Sequence, residues 1–353
     1  MIPSLKPGST PVHIETLSHY IGRFAIVALE FARRWPPIRV RPFMAVPLGL
    51  AVAAGITVAC SGTSDSAASG TADRIKVATT IYPVEYFVSR VGGERIDVVN
   101  LIPSGVEAHD FEPRVSDLID ITRADLLIYN GAEFEPWVER ALMALGGDAP
   151  PAIESVKLLR ADLLSAGKPG GSSDRSDDGF DPHVWLSPLN AIAQVDAIVE
   201  ALAAIKPGLV NEFRSNGVEL SRQLESLDLR FRSELSECGL RTFVTSHAAY
   251  GYLADEYGLE QVAVAGLSPD AEPKPRTLAN IADQMSDLGI SHVLVEPIAS
   301  SRVGEALARE TGGTTLPLHP LESLTEEEQN SGADYFSIMK INLESLVTAL
   351  DCN

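Results

Sequence analysis

The side chains best suited to chemistry in this chain are its histidines, seven in 353 residues. Three of them share a setting. His109 lies in Pro103-Ser104-Gly105-Val106-Glu107-Ala108-His109-Asp110-Phe111-Glu112-Pro113, and His183 in Asp181-Pro182-His183-Val184-Trp185-Leu186-Ser187-Pro188. His247 lies in Thr245-Ser246-His247-Ala248-Ala249-Tyr250-Gly251-Tyr252, just after the apolar run Thr242, Phe243, Val244. Each stands in a turn that leads into a helical pattern, and open α/β folds gather their ligands at such turns. Neutral imidazole binds zinc at about 2.0–2.1 Å, and three or four such ligands make a tetrahedral site. A single turn histidine is more often a capping or hydrogen-bonding residue than a ligand. Three in equivalent turns point to one shared metal ion, with Asp110 and Asp181 close enough in sequence to orient two of the rings. Of the others, His13 and His19 fall in a leader, and His292 begins an apolar run and reads as structural. Ser246 beside His247 does not read as a catalytic pair, because adjacent side chains rarely face each other and no G-x-S-x-G is present.

The elements that must position these turns alternate. Strand patterns fall at residues 75–79, 96–102 and 124–129, with helical patterns at 84–91, 115–122, 135–145 and 189–205. The second half repeats the style, with strands at 242–245, 261–266, 292–296 and 314–316 and helices at 248–257, 276–288, 302–311 and 335–350. Such alternation predicts parallel sheets covered by helices. Between the halves, Leu209, Phe213, Leu220, Leu224, Leu227, Phe231 and Leu235 form one apolar stripe. A helix over residues 208–237 would span about 45 Å at 1.5 Å per residue, a rod long enough to run along two domains. The expected organisation is a leader over 1–60, a tether over 61–74, one lobe over 75–207, the rod over 208–237 and a second lobe over 238–353.

The chain is 45% apolar and 22% charged, with a formal charge of −20. The first 59 residues hold six basic and two acidic residues, leaving 22 against 46, a balance of −24, for the remainder. That surface repels nucleic acid and attracts cations, so no nucleic-acid partner is expected. Arg33, Arg34, Arg39 and Arg41 precede an apolar run over 43–59, which reads as an export signal. Val58-Ala59-Cys60-Ser61-Gly62 is similar to a bacterial lipobox, with Thr57 where an aliphatic residue is usual, so Cys60 is the expected lipidated residue. Cys238 and Cys352 then remain as an even pair, which suits one disulfide in an exported protein. Residues 165–180 are rich in Gly, Ser and Asp and read as a loop.

Taken together, the turns around His109, His183 and His247, with the ending Glu322-Ser323-Leu324-Thr325, resemble the substrate-binding lipoproteins of bacterial zinc and manganese ABC importers over residues 75–350. The resemblance implies two α/β lobes joined by one long rigid helix and a metal buried between them. His109 and His183 would come from the first lobe and His247 from the second. It further implies a lipid-anchored extracytoplasmic monomer that is not an enzyme and that delivers Zn²⁺ to a permease and, through it, an ATPase. Manganese members tend to carry Glu at the position of His247, so zinc is favoured over manganese or iron. Two departures stand out. The loop before His183 carries Asp174, Asp177, Asp178 and Asp181 but no histidine, and Leu318-His319-Pro320-Leu321 stands where relatives have an Asp-Pro-Leu turn. His319 is the favoured fourth ligand, with Glu296, Glu107 or water as alternatives. From other classes, an extracellular zinc hydrolase would need an open position for water, and an adhesin would need a surface patch that the sequence does not single out.

Overall fold

The computed structural model describes residues 74–159, 180–269 and 273–353. Cys60, the expected leader and tether, and Asp174, Asp177 and Asp178 lie outside these. Two four-stranded sheets account for the strand patterns. The first contains β1 (Ile75–Thr79), β2 (Ile96–Asn100), β3 (Leu126–Tyr129) and β4 (Ala152–Glu154), in the order β2-β1-β3-β4. The second contains β5 (Thr242–Thr245), β6 (Glu260–Ala263), β7 (His292–Val295) and β8 (Thr314–Pro317), in the order β6-β5-β7-β8. Every pairing is parallel, for example Val77↔Leu126 and Val244↔Val293. The central strands carry near-continuous buried runs, as sheets covered on both faces require. In both sheets the strand order reverses beside the first strand, which opens a crevice at its C-terminal end.

In the first lobe the helices are α1 (Tyr82–Gly92), α2 (Val115–Arg123), α3 (Pro136–Leu145) and α4 (Pro188–Ile205). Proline in the first turn suits α1, α3 and α4, where its missing N–H would be unpaired anyway. Ser187 caps α4 by accepting from the Asn190 N–H. Among the described residues α4 is long and apolar enough to cross a membrane, but 61% of it is buried within the protein, as befits a core helix.

The rod is α5 (Val210–Glu234), 25 residues, preceded by a 3₁₀ turn over Pro207–Leu209. It is shorter than the expected 208–237 because the residues around Pro207 and Gly208 take the tighter turn and the helix stops at Leu235. Its first half packs on α1 and α4, with Asn216 donating to Val91 O and Arg90 to Gln223. Its second half faces the other lobe, where Phe231 stacks on Tyr257 and Tyr257 donates to Asp228.

The second lobe adds α6 (Gly251–Glu256), α7 (Pro275–Leu288), α8 (Arg302–Glu310), α9 (Glu326–Ser331) and α10 (Tyr335–Ala349). One apolar core runs through the first sheet, α5 and α10, and a smaller one around Val244, Met285, Val293 and Leu307 fills the outer part of the second sheet. Cys238 and Cys352 are joined by a disulfide, and Gly239 and Leu240 donate to the carbonyls of Asp351 and Leu350 beside it. The chain end is thereby stitched to the residues that lead into β5.

Candidate metal centre

His109 sits in the long turn after β2, and His183 directly ahead of the 3₁₀ turn Val184–Leu186 that leads into α4. His247 follows β5 by two residues, and Glu322 follows β8 by five. His109, His247 and Glu322 therefore lie beyond the C-terminal ends of strands, and Asn130, just after β3, holds the His183 turn beside the end of the first sheet. The ligand atoms of His109, His183, His247 and Glu322 lie within 4.8 Å of one another. Glu322 Oε1 is 3.4 Å from His109 Nε2, 3.4 Å from His183 Nε2 and 3.5 Å from His247 Nε2. The two first-lobe imidazoles are 3.4 Å apart, Nε2 to Nε2. Donors held about 2.0–2.1 Å from a tetrahedral zinc are separated by about 3.3–3.4 Å. These four separations match the edges of such a tetrahedron.

Each ring is aimed by a partner on its other nitrogen or on its backbone. Asp181 Oδ1 lies 2.8 Å from His183 Nδ1 and also accepts the His183 backbone N–H. Glu296 Oε1, at the end of β7, lies 2.6 Å from His247 Nδ1. With Nδ1–H given to a carboxylate, both rings present Nε2 to the centre. The His247 carbonyl accepts from Thr245 Oγ1 and Gln261 Nε2. His109 packs on Phe134, ring centroids 4.3 Å apart, and its backbone N–H donates to Glu107. Deeper in the first lobe, Asn130 donates to Pro182 O, which fixes the His183 turn to the end of β3. Trp185 donates to Pro320 O across 2.7 Å, which joins the His183 turn to the Glu322 turn.

Burial makes these groups costly unless something satisfies them. His183 and His247 are fully buried, and Glu322 nearly so. His247 Nε2 and Glu322 Oε1 have no hydrogen-bond partner. Burial alone would raise the Glu322 carboxyl, but His109, His183 and His247 outweigh it and hold it well below the usual carboxylate range. Burial opposes charge on His247, yet Glu296 and then Glu322 push it up to about 10. His183 moves the same way: burial works against its charge, and Asp181 and Glu322 overcome it. Burial, then the nearby Glu322, push Glu107 up to about 8. An anion among three imidazoles, with donor atoms turned inward and unpaired, is chemically a seat for a small divalent cation.

The structure brings His109, His183 and His247 together, as their turns predict, but it does not bring in His319. The His319 Nδ1 accepts the Leu321 N–H at 2.8 Å, and its Nε2 lies 3.1 Å from Glu328 Oε2. Both ring nitrogens are thus engaged away from the centre. Leu321 takes a left-handed φ of 61°, and that turn swings the next residue, Glu322, into the fourth place. Glu322 is the residue that sequence reasoning missed. Its signal was a lone carboxylate between Leu321 and Leu324 just after a strand, a place where a purely structural acid is expensive. Glu296 and Glu107, the alternative fourth ligands, lie instead against His247 Nδ1 and the His109 backbone. Asp110 is exposed and orients no ring, whereas Asp181 does. His292 stands at the start of β7 against Ser291.

Two parallel sheets whose strand ends enclose three imidazoles and a carboxylate place the chain among two-lobed α/β binding proteins. Residues 77–349 match the family model of the zinc-uptake complex component A, periplasmic (ZnuA), and the chain belongs to that family. It is 37% identical over 300 residues to the zinc-binding lipoprotein AdcA of Streptococcus pneumoniae, a match covering 83% of this chain and 58% of the relative. It is 36% identical over 306 residues to the high-affinity zinc uptake system protein ZnuA of Bacillus subtilis, covering 84% of this chain and 94% of that one. The crystal structure of the Zn(II)-bound ZnuA-like domain of Streptococcus pneumoniae AdcA aligns with a TM-score of 0.67 at 37% identity, over 79% of this chain and 99% of that domain. This chain thus spans a little over half, 58%, of AdcA's length.

Proposed function

We propose that this chain is the extracytoplasmic binding protein of a metal ABC importer, that it captures Zn²⁺ with His109, His183, His247 and Glu322, and that it hands the ion to a membrane permease driven by an ATPase. Lipidation of Cys60 would keep it at the membrane. The observation that carries the reading is the spacing of the four donor atoms, 3.4–3.5 Å from Glu322 Oε1 to each imidazole. Three nitrogens and one oxygen at tetrahedral spacing suit zinc, whereas manganese favours six oxygen-rich positions. One carboxylate also lowers the charge of the loaded centre to +1, against +2 for four neutral histidines, which eases burial of the ion. A protein ligand in the fourth place leaves no position for a reactive water, so the role is carriage rather than hydrolysis.

Metal analysis and zinc titration of the purified protein test this, beside His247→Ala, Glu322→Ala and His319→Ala. One zinc per chain is expected. Zinc affinity should fall by more than about a hundredfold in the first two variants and by less than about tenfold in the third. Manganese bound in preference to zinc, or zinc lost with His319→Ala but kept with Glu322→Ala, would overturn the assignment. Loading should also raise the melting temperature in proportion to free zinc, and a chelator should reverse it.

A further inference from the structure

Three of the four donors are tied to one body. The Glu322 turn belongs to the second lobe by sequence, but it is fastened to the first: Tyr82 N–H donates to Glu322 O, Gly105 N–H to Leu324 O, and Ser323 Oγ to Pro103 O. Trp185 adds its bond to Pro320 O. His109, His183 and Glu322 therefore share one fixed frame. His247 approaches it from β5, and two tyrosines just beyond it hold that approach. Tyr252 donates to Asp181 O at 2.9 Å, on the residue that aims His183, and Tyr250 donates to Leu318 O at 2.9 Å, at the root of the Glu322 turn. Both side chains are buried, Tyr250 completely.

We infer that Tyr250 and Tyr252 are the residues that set metal selectivity, by holding His247 at tetrahedral distance from Glu322, 3.5 Å from Nε2 to Oε1. The inference rests on the zinc-carrying reading of the same site. A tetrahedral ion is satisfied by four donors about 3.3–3.4 Å apart. A six-coordinate ion such as manganese must admit two more donors, which requires His247 to draw back from the frame. The two phenol hydrogen bonds resist that movement, so they favour the tetrahedral ion without touching it. Tyr250 and Tyr252 are thus positioning residues. Removing either hydroxyl orphans a buried carbonyl in the closed arrangement and relieves nothing in the loosened one.

The test is the ratio of zinc to manganese affinity, measured by chelator competition on the whole protein, for wild type, Tyr252→Phe, Tyr250→Phe and the double variant. Each change removes one oxygen and keeps the ring. Zinc affinity should fall by about tenfold for each lost hydrogen bond, with manganese affinity changed by less than about threefold, so that the ratio drops by about threefold or more in each single variant and further in the double. Zinc and manganese affinities that fall by the same factor would make the tyrosines merely structural and overturn the inference, as would an unchanged ratio in the double variant. A wild-type protein that prefers manganese would defeat the zinc reading itself, which the variants cannot do. The two failures are therefore told apart by the wild-type arm alone.

Discussion

His247 Nδ1 lies 2.6 Å from Glu296 Oε1, with both groups buried at the crevice between β5 and β7. Burial disfavours the charged imidazole, but Glu296 and Glu322 overcome it and push its pKa from 6.5 up to about 10. In the metal-free protein at neutral pH, His247 therefore holds its proton, while Glu322, far below the usual range, has none to lose. Zinc must displace that proton from Nε2. Zinc affinity should rise by at least about tenfold per pH unit from about pH 6.5 towards 9, with at least one proton released for each ion bound, since His183 is shifted upward as well. The stability of the metal-free protein should move the other way. A folded pKa above the unfolded value contributes stability that is complete below about 6.5 and lost as pH rises towards 10. Titration calorimetry in buffers of different ionisation enthalpy counts the proton. An affinity independent of pH in this window would show that His247 is neutral before zinc arrives.

The His183 turn should depend on a residue that never meets the ion. Asn130, fully buried, donates to Pro182 O at 2.9 Å, and Gln194 donates to Asn130 Oδ1. Asn130→Ala leaves the Pro182 carbonyl with the Val184 N–H as its remaining donor, a cost of about 0.5–1.5 kcal/mol for the lost hydrogen bond. The expected outcome is a lower urea midpoint together with a zinc affinity about 10–100-fold weaker. An affinity equal to wild type at reduced stability would mean that Asp181 alone is enough to hold the ring.

The strands were legible where burial is nearly continuous: β1 and β5 match their expected bounds, because Thr242-Phe243-Val244-Thr245 is buried throughout and in β1 Lys76 alone is exposed. The half-buried edge strand β4, three residues after two prolines, offered no such run. The helix α9 has no apolar stripe, so periodicity could not find it, although Thr325 and Glu328 form the reciprocal cap that marks a helix start. The same contrast holds at the centre. Three histidines were visible because imidazole in a strand-to-helix turn is conspicuous. Choosing Glu322 over His319 depends on a left-handed Leu321 and on Glu328 reaching back to His319 from α9, and neither leaves a pattern in sequence.

The Cys238–Cys352 disulfide closes a loop with a sequence separation of 114. A cross-link of that span contributes about 4–5 kcal/mol in the chain-entropy account, and the whole of the second sheet lies inside the loop. Cys238→Ser with Cys352→Ser should lower the unfolding free energy by about 2–4 kcal/mol, and reductant should do the same to wild type but nothing to the variant. Zinc affinity should survive, because the bond lies at the opposite end of β5 from His247. Loss of zinc binding in a still-folded double variant would mean that the tail also holds the crevice.

Gly217, on the buried face of α5, decides how closely the rod approaches α4. A Cβ built there would lie 2.5 Å from Val199 Cγ2, well inside contact distance. Helix propensity alone favours alanine over glycine by about 1 kcal/mol. Overpacking a filled contact costs about 1–3 kcal/mol, and Val199, itself buried, has little room to turn away. Packing should therefore win, and Gly217→Ala should be less stable by up to about 2 kcal/mol in urea unfolding, despite being the better helix former. The companion change Val199→Ala alone should also destabilise, but the double variant Gly217→Ala with Val199→Ala should recover part of the loss, because the two sites share one contact. A single Gly217→Ala variant more stable than wild type would show that α5 can lift from α4 freely, and a rod that lifts freely could not keep the two lobes in a fixed relation.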